Sequence, residues 1–454
     1  MAAKTAIVVL AAGEGTRMAS AQPKVLHALG GRLLIAYALE AAGKAGADKI
    51  AVVVGPDHKR VAAEVKRLSP QAQIFVQRER RGTADALLAA KAMLAEGDDV
   101  VVLFGDTPLV RAETLRAVRD GLKHAAVSVL GFRPANPTGY GRLVIANGRL
   151  TAIREERDAS AAERAIRLCN AGVMALAGKH ALEIVRAIGN RNAKHEFYLS
   201  DAVAIAADMG LAAAVSEAPE EEVMGINDRK QLAEAEAVLQ RRLRERAMEA
   251  GATLLAPETV YFSPDTKLGS DVTVEPYVVF GPGVVVDDKA TVRSFCHIEG
   301  AHIAAGAVVG PFARLRPGTA IGPGAHIGNF VEVKAATFGK DAKANHLAYI
   351  GDGSVGDGAN IGAGTIFCNY DGQEKHRTEV GKDAFIGSNS ALVAPVKVGE
   401  GAYVGTGSVI VKDVPAEALA VARARQTVKK GWAKKLHAIR KLRVHKSKKG
   451  KRGD

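Results

Sequence analysis

Residues 301–333 read AHIAAGAVVGPFARLRPGTAIGPGAHIGNFVEV, and every sixth position is aliphatic: Ile303, Val309, Leu315, Ile321, Ile327 and Val333. The beat extends outward in both directions with small slips of phase. Upstream it runs Leu268, Val274, Phe280, Val286, Val292 and Ile298. Downstream it passes through Phe338, Ala344 and Ile350, then Val355, Ile361 and Phe367. After a break it resumes as Val380, Ile386, Leu392, Val398, Val404 and Ile410. Of these 24 positions only Ala344 is not a large apolar residue. A period of six matches neither a helix nor an ordinary strand. A short repeat with one inward apolar residue per unit indicates a β-solenoid. At three hexads per triangular coil the run makes eight coils, which at ~4.8 Å per coil stack to about 38 Å.

The rest of the chain sets the context. A length of 454 residues is too great for one core, so two or three domains are expected. No apolar run approaches the ~20 residues that cross a bilayer, so no membrane partner is expected. The opening MAAKTAIVVLAAGEGTRM reads as a first buried strand rather than a signal peptide. Cys169, Cys296 and Cys368 are scattered, which argues against a disulfide framework or zinc site and suits the cytoplasm. The net charge of +13 is concentrated at one end: residues 425–454 hold 13 Lys or Arg against Asp454 alone. This tail is expected to be a solvated, partly disordered extension. No interleaving of aromatic and basic residues argues for nucleic acid as a partner.

Four segments follow from the pattern. Residues 1–226 alternate strand-like runs (Ala6–Leu10, Ile50–Val54, Ile74–Val76, Val100–Phe104, Ala126–Gly131) with helical stretches such as Leu33–Ala45 and Thr83–Ala95. That order predicts an α/β domain with a largely parallel sheet. Residues 227–250 form a charged connecting helix with Leu232, Ala235, Val238, Leu239 and Leu243 on one stripe. Residues 251–424 are the coils and 425–454 the basic tail.

In the first segment a strand runs straight into Leu10, Ala11, Ala12 and Gly13, then Glu14-Gly15-Thr16-Arg17-Met18. Glycines allow close approach of backbone to phosphate, and a following helical turn offers free N–H groups. Alone this is a weak signal, because many strand–helix turns need glycine. Its company strengthens it: Pro23-Lys24, Gln77, Gly82-Thr83, and Phe104-Gly105-Asp106-Thr107-Pro108-Leu109 at the end of another strand, where α/β proteins bind ligands.

The set LAAGxGTRM, PK and GDxPL resembles the sugar-1-phosphate nucleotidyltransferases. Further matches are PTGYGR at 137–142, Glu155, Asn170-Ala171-Gly172 and GINDR at 225–229. The hexads resemble the left-handed parallel β-helix of the hexapeptide acyltransferases. The combination resembles the bifunctional N-acetylglucosamine-1-phosphate uridyltransferase and glucosamine-1-phosphate acetyltransferase family of bacterial wall synthesis. That resemblance implies a Rossmann-like nucleotidyltransferase domain followed by the β-helix. It also implies UTP, sugar 1-phosphates and acetyl-CoA as substrates, Mg²⁺ as cofactor and a homotrimer. Arg17 and Lys24 would hold phosphates, and Asp106 and Asn227 would offer oxygens to Mg²⁺. Leu10, Ala11, Ala12, Gly13, Gln77, Gly82 and Thr83 would hold the uridine part; Gly141, Glu155 and Asn170 would hold the amino sugar. Phe104 replaces a Tyr frequent in the family, and Arg81 a neutral residue.

A second constellation interrupts the hexads. Arg316, Lys334, His346, Tyr349, Asn360 and Asn369-Tyr370 put cations and a histidine where a plain coil needs none. An amine must lose its proton before it attacks a thioester, and a histidine of pKa ~6.5 is suited to take it. His346 is therefore the expected general base. Arg316 and Lys334 would bind the sugar phosphate, and Tyr349 and Asn360 the sugar. By the resemblance, acetyl-CoA would lie along Ala363, Asn369, Tyr370, Ser388, Thr406 and Arg423, with Thr406 in place of the usual Ala. Cys368 is read as a bystander. Two alternatives stay open on the residues alone: a monofunctional nucleotidyltransferase with a structural or regulatory solenoid, which would not need the His346 cluster, and a scaffold acting through its basic tail on nucleic acid or a membrane surface.

Overall fold

The computed structural model describes residues 4–95 and 97–449. It divides into two compact units, Met1–Asp288 with His297–Gly300, and Lys289–Cys296 with Ala301–Asp454.

The first unit is built on a nine-stranded sheet. Its strands are β1 (Thr5–Ala11), β2 (Lys49–Val54), β3 (Gln73–Val76), β4 (Asp99–Phe104), β5 (Val127–Phe132), β6 (Arg142–Ala146), β7 (Arg149–Arg154), β8 (Cys169–Leu176) and β9 (Ala213–Glu217). The order is β9-β5-β8-β4-β1-β2-β3, with the β6–β7 hairpin attached to β8. Neighbours on the main path are parallel except β8, which runs against both β4 and β5. Ala6, Val8 and Leu10 join one core, while Ile7, Val9 and Ala11 join the other. Burial on both faces explains why β1 is a continuous apolar run rather than an alternating one. The carboxyl ends of β1, β3 and β4 open at the same edge, where Ala12, Gln77 and Asp106 follow.

The helix Arg229–Glu249 starts at Asp228, whose carboxylate accepts the Gln231 N–H at 2.9 Å. Of the predicted stripe it buries Ala235, Val238, Leu239 and Leu243, leaves Leu232 half-buried, and adds Gln240. The Gln240 amide donates to Phe262 O and accepts from Phe262 N, both at 2.8 Å, so it pins a coil backbone. In the same unit Tyr261–Phe262 pairs in parallel with Val279–Phe280, and that strand with His297–Ile298.

The second unit carries the remaining coils. Most short strands pair in parallel with one 17 or 18 residues on: Val308 with His326, Arg314 with Glu332, Lys343 with Asn360. Three hexads thus make one turn. Across the break the step lengthens, and Asn360 pairs with Phe385, because the residues around 369–376 form an inserted hairpin closed by a Tyr370–Lys375 bridge. The expected hexad residues are buried except Leu268, which is half-buried. The expectation of one inward residue per hexad was too low. A second, mostly small residue two positions earlier is buried as well, as at Ala307, Ala313, Ala325, Ala342 and Ala359.

The tail carries an element that the sequence reading did not name: Trp432–Lys449 is a helix. None of Trp432–Lys441 is buried, so it is solvated as expected. Its composition explains the helix: Ala, Leu, Lys and Arg are good helix formers. Lys451 and Arg452 lie outside the described residues. Among the described residues no helix is long and apolar enough to cross a membrane.

Candidate active sites

The open edge of the first unit's sheet brings three distant segments together. Lys24, in the turn Lys24–Leu26, is 9% exposed. Its ammonium pairs with the Asp106 carboxylate and donates to Asn227 Oδ1 at 3.0 Å. Asp106 follows β4, and its carbonyl accepts the Ile226 N–H at 2.9 Å, which sets Asn227 beside it. Gly15, rather than Gly13, is the sterically required glycine of the first turn. It has φ +66°, and a Cβ there would lie 2.6 Å from Lys24 Cβ. Gly13 has open space around it. The expected metal ligands are thus adjacent, and a cation already bridges their oxygens. An Asp and an Asn oxygen suit a hard ion such as Mg²⁺ that completes its shell with water and phosphate.

Beside this centre lies a cleft of about 700 Å³. Arg17, Thr83, Glu155 and Asn170 line it, as does Phe104. Gly141 sits behind: its carbonyl accepts the Asn170 N–H at 2.8 Å, and a Cβ on it would be 3.3 Å from Glu155 Oε1. The neighbouring carboxylates Glu155 and Glu156 have different partners. Ser200 Oγ donates to Glu155 Oε1 at 2.8 Å, whereas Glu156 pairs with the buried Arg142 at 2.7 Å. Sequence reasoning missed Lys194, Glu196, Tyr198 and Ser200, which line the same cleft. They sit in an irregular stretch with no motif to announce them. Burial, then Glu196, Asp158 and Glu155, pushes the Tyr198 hydroxyl up to about 12, so it remains a donor at neutral pH. Burial also raises the Asp201 carboxyl, with Glu155 adding to it.

At the other end of the edge, Ala11 and Ala12 offer carbonyls to side chains that the sequence did not single out. His58 Nδ1 lies 3.3 Å from Ala11 O, and Arg80 Nε donates to Ala12 O at 3.1 Å. Arg80 also pairs with Glu14. Gln77 is 5% exposed, and its amide donates to Gly82 O at 3.1 Å and to Asp85 at 2.9 Å. Leu10 O accepts the Gly105 N–H at 3.0 Å.

In the second unit the acetyl-transfer residues fall on adjoining ladders. Asn329 and His346 are register partners, and His346 Nδ1 lies 2.7 Å from Asn329 Oδ1. A carboxamide oxygen only accepts, so this contact favours the neutral tautomer with the proton on Nδ1, which leaves the lone pair on Nε2. Arg316 pairs with Glu332 at 2.9 Å, and Glu332 is in register with Tyr349. Gly351 is the register partner of Lys334. A Cβ on Gly351 would lie 2.6 Å from Tyr349 Oη and 2.8 Å from Asn369 Nδ2, so only glycine lets both side chains cover it. The inserted hairpin brings in Lys375, another residue the sequence did not reveal. The Lys334 ammonium lies against it and lowers its pKa. Two adjacent ammonium groups beside an arginine make a ready anion site.

Asn360 holds its place in the ladder beside Lys343 and Phe385. The expected acetyl-CoA residues Ala363, Ser388, Thr406 and Arg423 stack along successive coils. Asn389 N donates to Ala363 O at 2.7 Å, and Gly407 N donates to Ser388 O at 2.8 Å. A Cβ on Gly387 would be 2.4 Å from Thr406 N, and one on Gly407 4.0 Å from Arg423 Cδ. Asn369 and Tyr370 lie apart from this column at the hairpin, with Asn369 donating to Asp352 and Tyr370 exposed. Cys368 is free and half-buried.

Comparison with known proteins agrees with both halves. A model of the MobA-like NTP transferase domain matches residues 7–173. A bacterial transferase hexapeptide model matches residues 300–335 and 377–412, so the parallel coils are a left-handed β-helix of that kind. The bifunctional protein GlmU of Azorhizobium caulinodans is 62% identical over 436 residues, covering 96% of this chain and 97% of that protein. GlmU of Xanthobacter autotrophicus is 63% identical, with 96% and 97% covered. GlmU of Rhodopseudomonas palustris (strain BisB5) is 59% identical, with 94% and 95% covered. At this identity, over nearly its whole length, the chain belongs to the family of bifunctional GlmU proteins.

Proposed function

We propose that this enzyme makes UDP-N-acetylglucosamine in two transfers, with the residues above in the following roles. In the first, glucosamine 1-phosphate sits with its phosphate on Arg316, Lys334 and Lys375 and its ring against Tyr349 and Asn360. His346 Nε2 removes a proton from the sugar ammonium. The freed amine attacks the acetyl carbonyl of acetyl-CoA, and the coenzyme A thiolate departs and takes up a proton. Asn329 fixes the imidazole tautomer that makes Nε2 the base. Ala363, Ser388, Thr406 and Arg423 hold the thioester substrate along the coils, with Asn369 and Tyr370 at its reactive end.

In the second transfer a phosphate oxygen of N-acetylglucosamine 1-phosphate attacks the α-phosphorus of UTP and pyrophosphate leaves. Two anions must approach in line, so positioning and positive charge are most of the catalysis. Asp106 and Asn227 would hold Mg²⁺, whose charge offsets that gathering on the phosphates. Arg17 and Lys24 contribute cations from the protein. Leu10 to Gly13, Gln77, Gly82 and Thr83 receive the uridine part, and Gly141, Glu155 and Asn170 the amino sugar.

A homotrimer is part of the proposal. In such an assembly Asn369 and Tyr370 of one chain would complete the acetyl-transfer site formed by His346 and the column Ala363–Ser388–Thr406 of its neighbour. The stacked, exposed Phe312 and Phe330, with Leu347 on the same corner, support association there. A reducing, cytoplasmic setting is also part of the proposal, since Cys169, Cys296 and Cys368 lie far apart in the chain without paired spacing. The observation carrying the account is the convergence of Lys24, Asp106 and Asn227 from segments 82 and 203 residues apart. Pyrophosphate release that requires UTP, N-acetylglucosamine 1-phosphate and Mg²⁺ together tests it; release without the sugar phosphate would count against it.

A further inference from the structure

The Gln77 amide is held from one side only. Nε2 donates to Asp85 Oδ2 at 2.9 Å and to the Gly82 carbonyl at 3.1 Å. Both partners accept, so the nitrogen must face them, and an amide nitrogen has two hydrogens to give. Both are engaged. Oε1 makes no hydrogen bond among the described residues, and it is the one recognition atom this side chain has left. Asp85 is itself fixed: its other oxygen receives Arg81 Nε at 3.2 Å and Nη2 at 2.8 Å. The Arg81 guanidinium lies over the Phe197 ring, 5.7 Å from its centre. Turning the Gln77 amide over would set its oxygen against a carboxylate and a carbonyl. With the residue buried, that repulsion has no water to relieve it.

We infer that Asp85 determines which nucleobase the site accepts, by holding Gln77 as a pure hydrogen-bond acceptor. Uracil carries a hydrogen on N3 and cytosine a lone pair at the same atom. Gln77 Oε1 can accept from the first and is repelled by the second. The Gly82 N–H, also without an acceptor among the described residues, suits a carbonyl beside N3 and not an amino group. Arg81 thereby gains a role as a positioning residue: it orients Asp85, which orients Gln77. This deepens the nucleotide reading above and rests on Gln77 facing the base.

The test measures kcat/KM for pyrophosphate release with UTP and with CTP, using the full chain with N-acetylglucosamine 1-phosphate and Mg²⁺. Asp85→Asn offers Gln77 a donor, so the amide can turn and present its N–H groups to cytosine. The UTP:CTP preference should fall at least about tenfold, by loss for UTP and gain for CTP, with a cooperative thermal melt retained. Sites that hydrogen-bond one partner reject its mismatch by such factors or more. Gln77→Ala separates the two levels of the argument. If it leaves the KM for UTP unchanged, Gln77 does not face the base and the nucleotide reading of that residue fails. If it raises that KM while Asp85→Asn keeps the parent preference, the reading stands and the role of Asp85 is overturned. Should Asp85→Asn fail to fold, Arg81→Gln decides: Arg81 is on the surface, and its loss must move the preference the same way or the inference is wrong.

Discussion

Lys24 Nζ lies 3.0 Å from Asn227 Oδ1, two residues that 203 positions of chain separate, and the same ammonium pairs with Asp106. A cation between two oxygens from separate segments marks where a divalent ion and phosphates would meet. Replacing Asp106 with Ala should remove one of those oxygens and leave Lys24 half-unpaired. Uridylyl transfer should fall by ~10²–10³ or more, the scale of losing one charge-stabilising group. Acetyl transfer should persist, since its residues lie in the other unit. Comparable loss of both activities in a folded protein would refute separable sites.

His346 is where geometry most sharpens the account. His346→Ala should lower acetyl-transfer turnover by ~10²–10⁴, the range for a positioned base. Its KM for acetyl-CoA should change little. Asn329→Ala should cost less, because Nδ1 loses only the acceptor that fixes its proton. Turnover of the His346 variant within a few-fold of the parent from pH 6 to 8 would show an exposed bystander.

Much of this was legible in the sequence, and the rest had physical reasons for being hidden. The hexad residues announce themselves because each must fill the interior of a coil. The small residues two places earlier, such as Ala307 and Ala342, do not, because alanine is common anywhere. Asp106, Lys24 and Asn227 stand in motifs with strong local constraints. Lys375, Tyr198 and Ser200 reach their sites through an inserted hairpin and an irregular loop, and Asn329 through the pairing of coils 17 residues apart. Spacing carries no trace of such contacts. The tail helix was missed because charge was weighed above helix propensity.

Stability should carry a signature of His27. Burial first, and Arg229 second, hold its pKa below the usual 6.5, while the Gln22 backbone opposes them. A depressed imidazole pKa means that below about pH 6.5 the unfolded chain binds a proton the fold refuses. Stability is therefore fully present above that pH. It is lost as pH falls toward the folded pKa, by at most about 1.4 kcal/mol per pH unit for this group. His27→Gln should flatten part of the drop in melting temperature between pH 7 and 5. A pH-independent gap between parent and variant would contradict this.

Removal of the chain from Lys434 onward should leave folding and both reactions close to the parent, since none of Lys434–Lys441 is buried and no hexad residue is lost. Trp432 and Arg423 are retained in this truncation. Steady-state rates for both transfers, compared with the full chain, check it. A tenfold or larger fall in acetyl transfer alone would assign the tail helix to that site.

The central claim is that one chain performs both transfers in sequence. The direct measurement supplies the full-length protein with glucosamine 1-phosphate, acetyl-CoA labelled in the acetyl group, UTP and Mg²⁺, and follows the label by mass spectrometry. The account predicts labelled UDP-N-acetylglucosamine, with one coenzyme A and one pyrophosphate released for each molecule formed. Glucosamine 1-phosphate returned unacetylated, or labelled sugar phosphate that never becomes a nucleotide sugar, would contradict it.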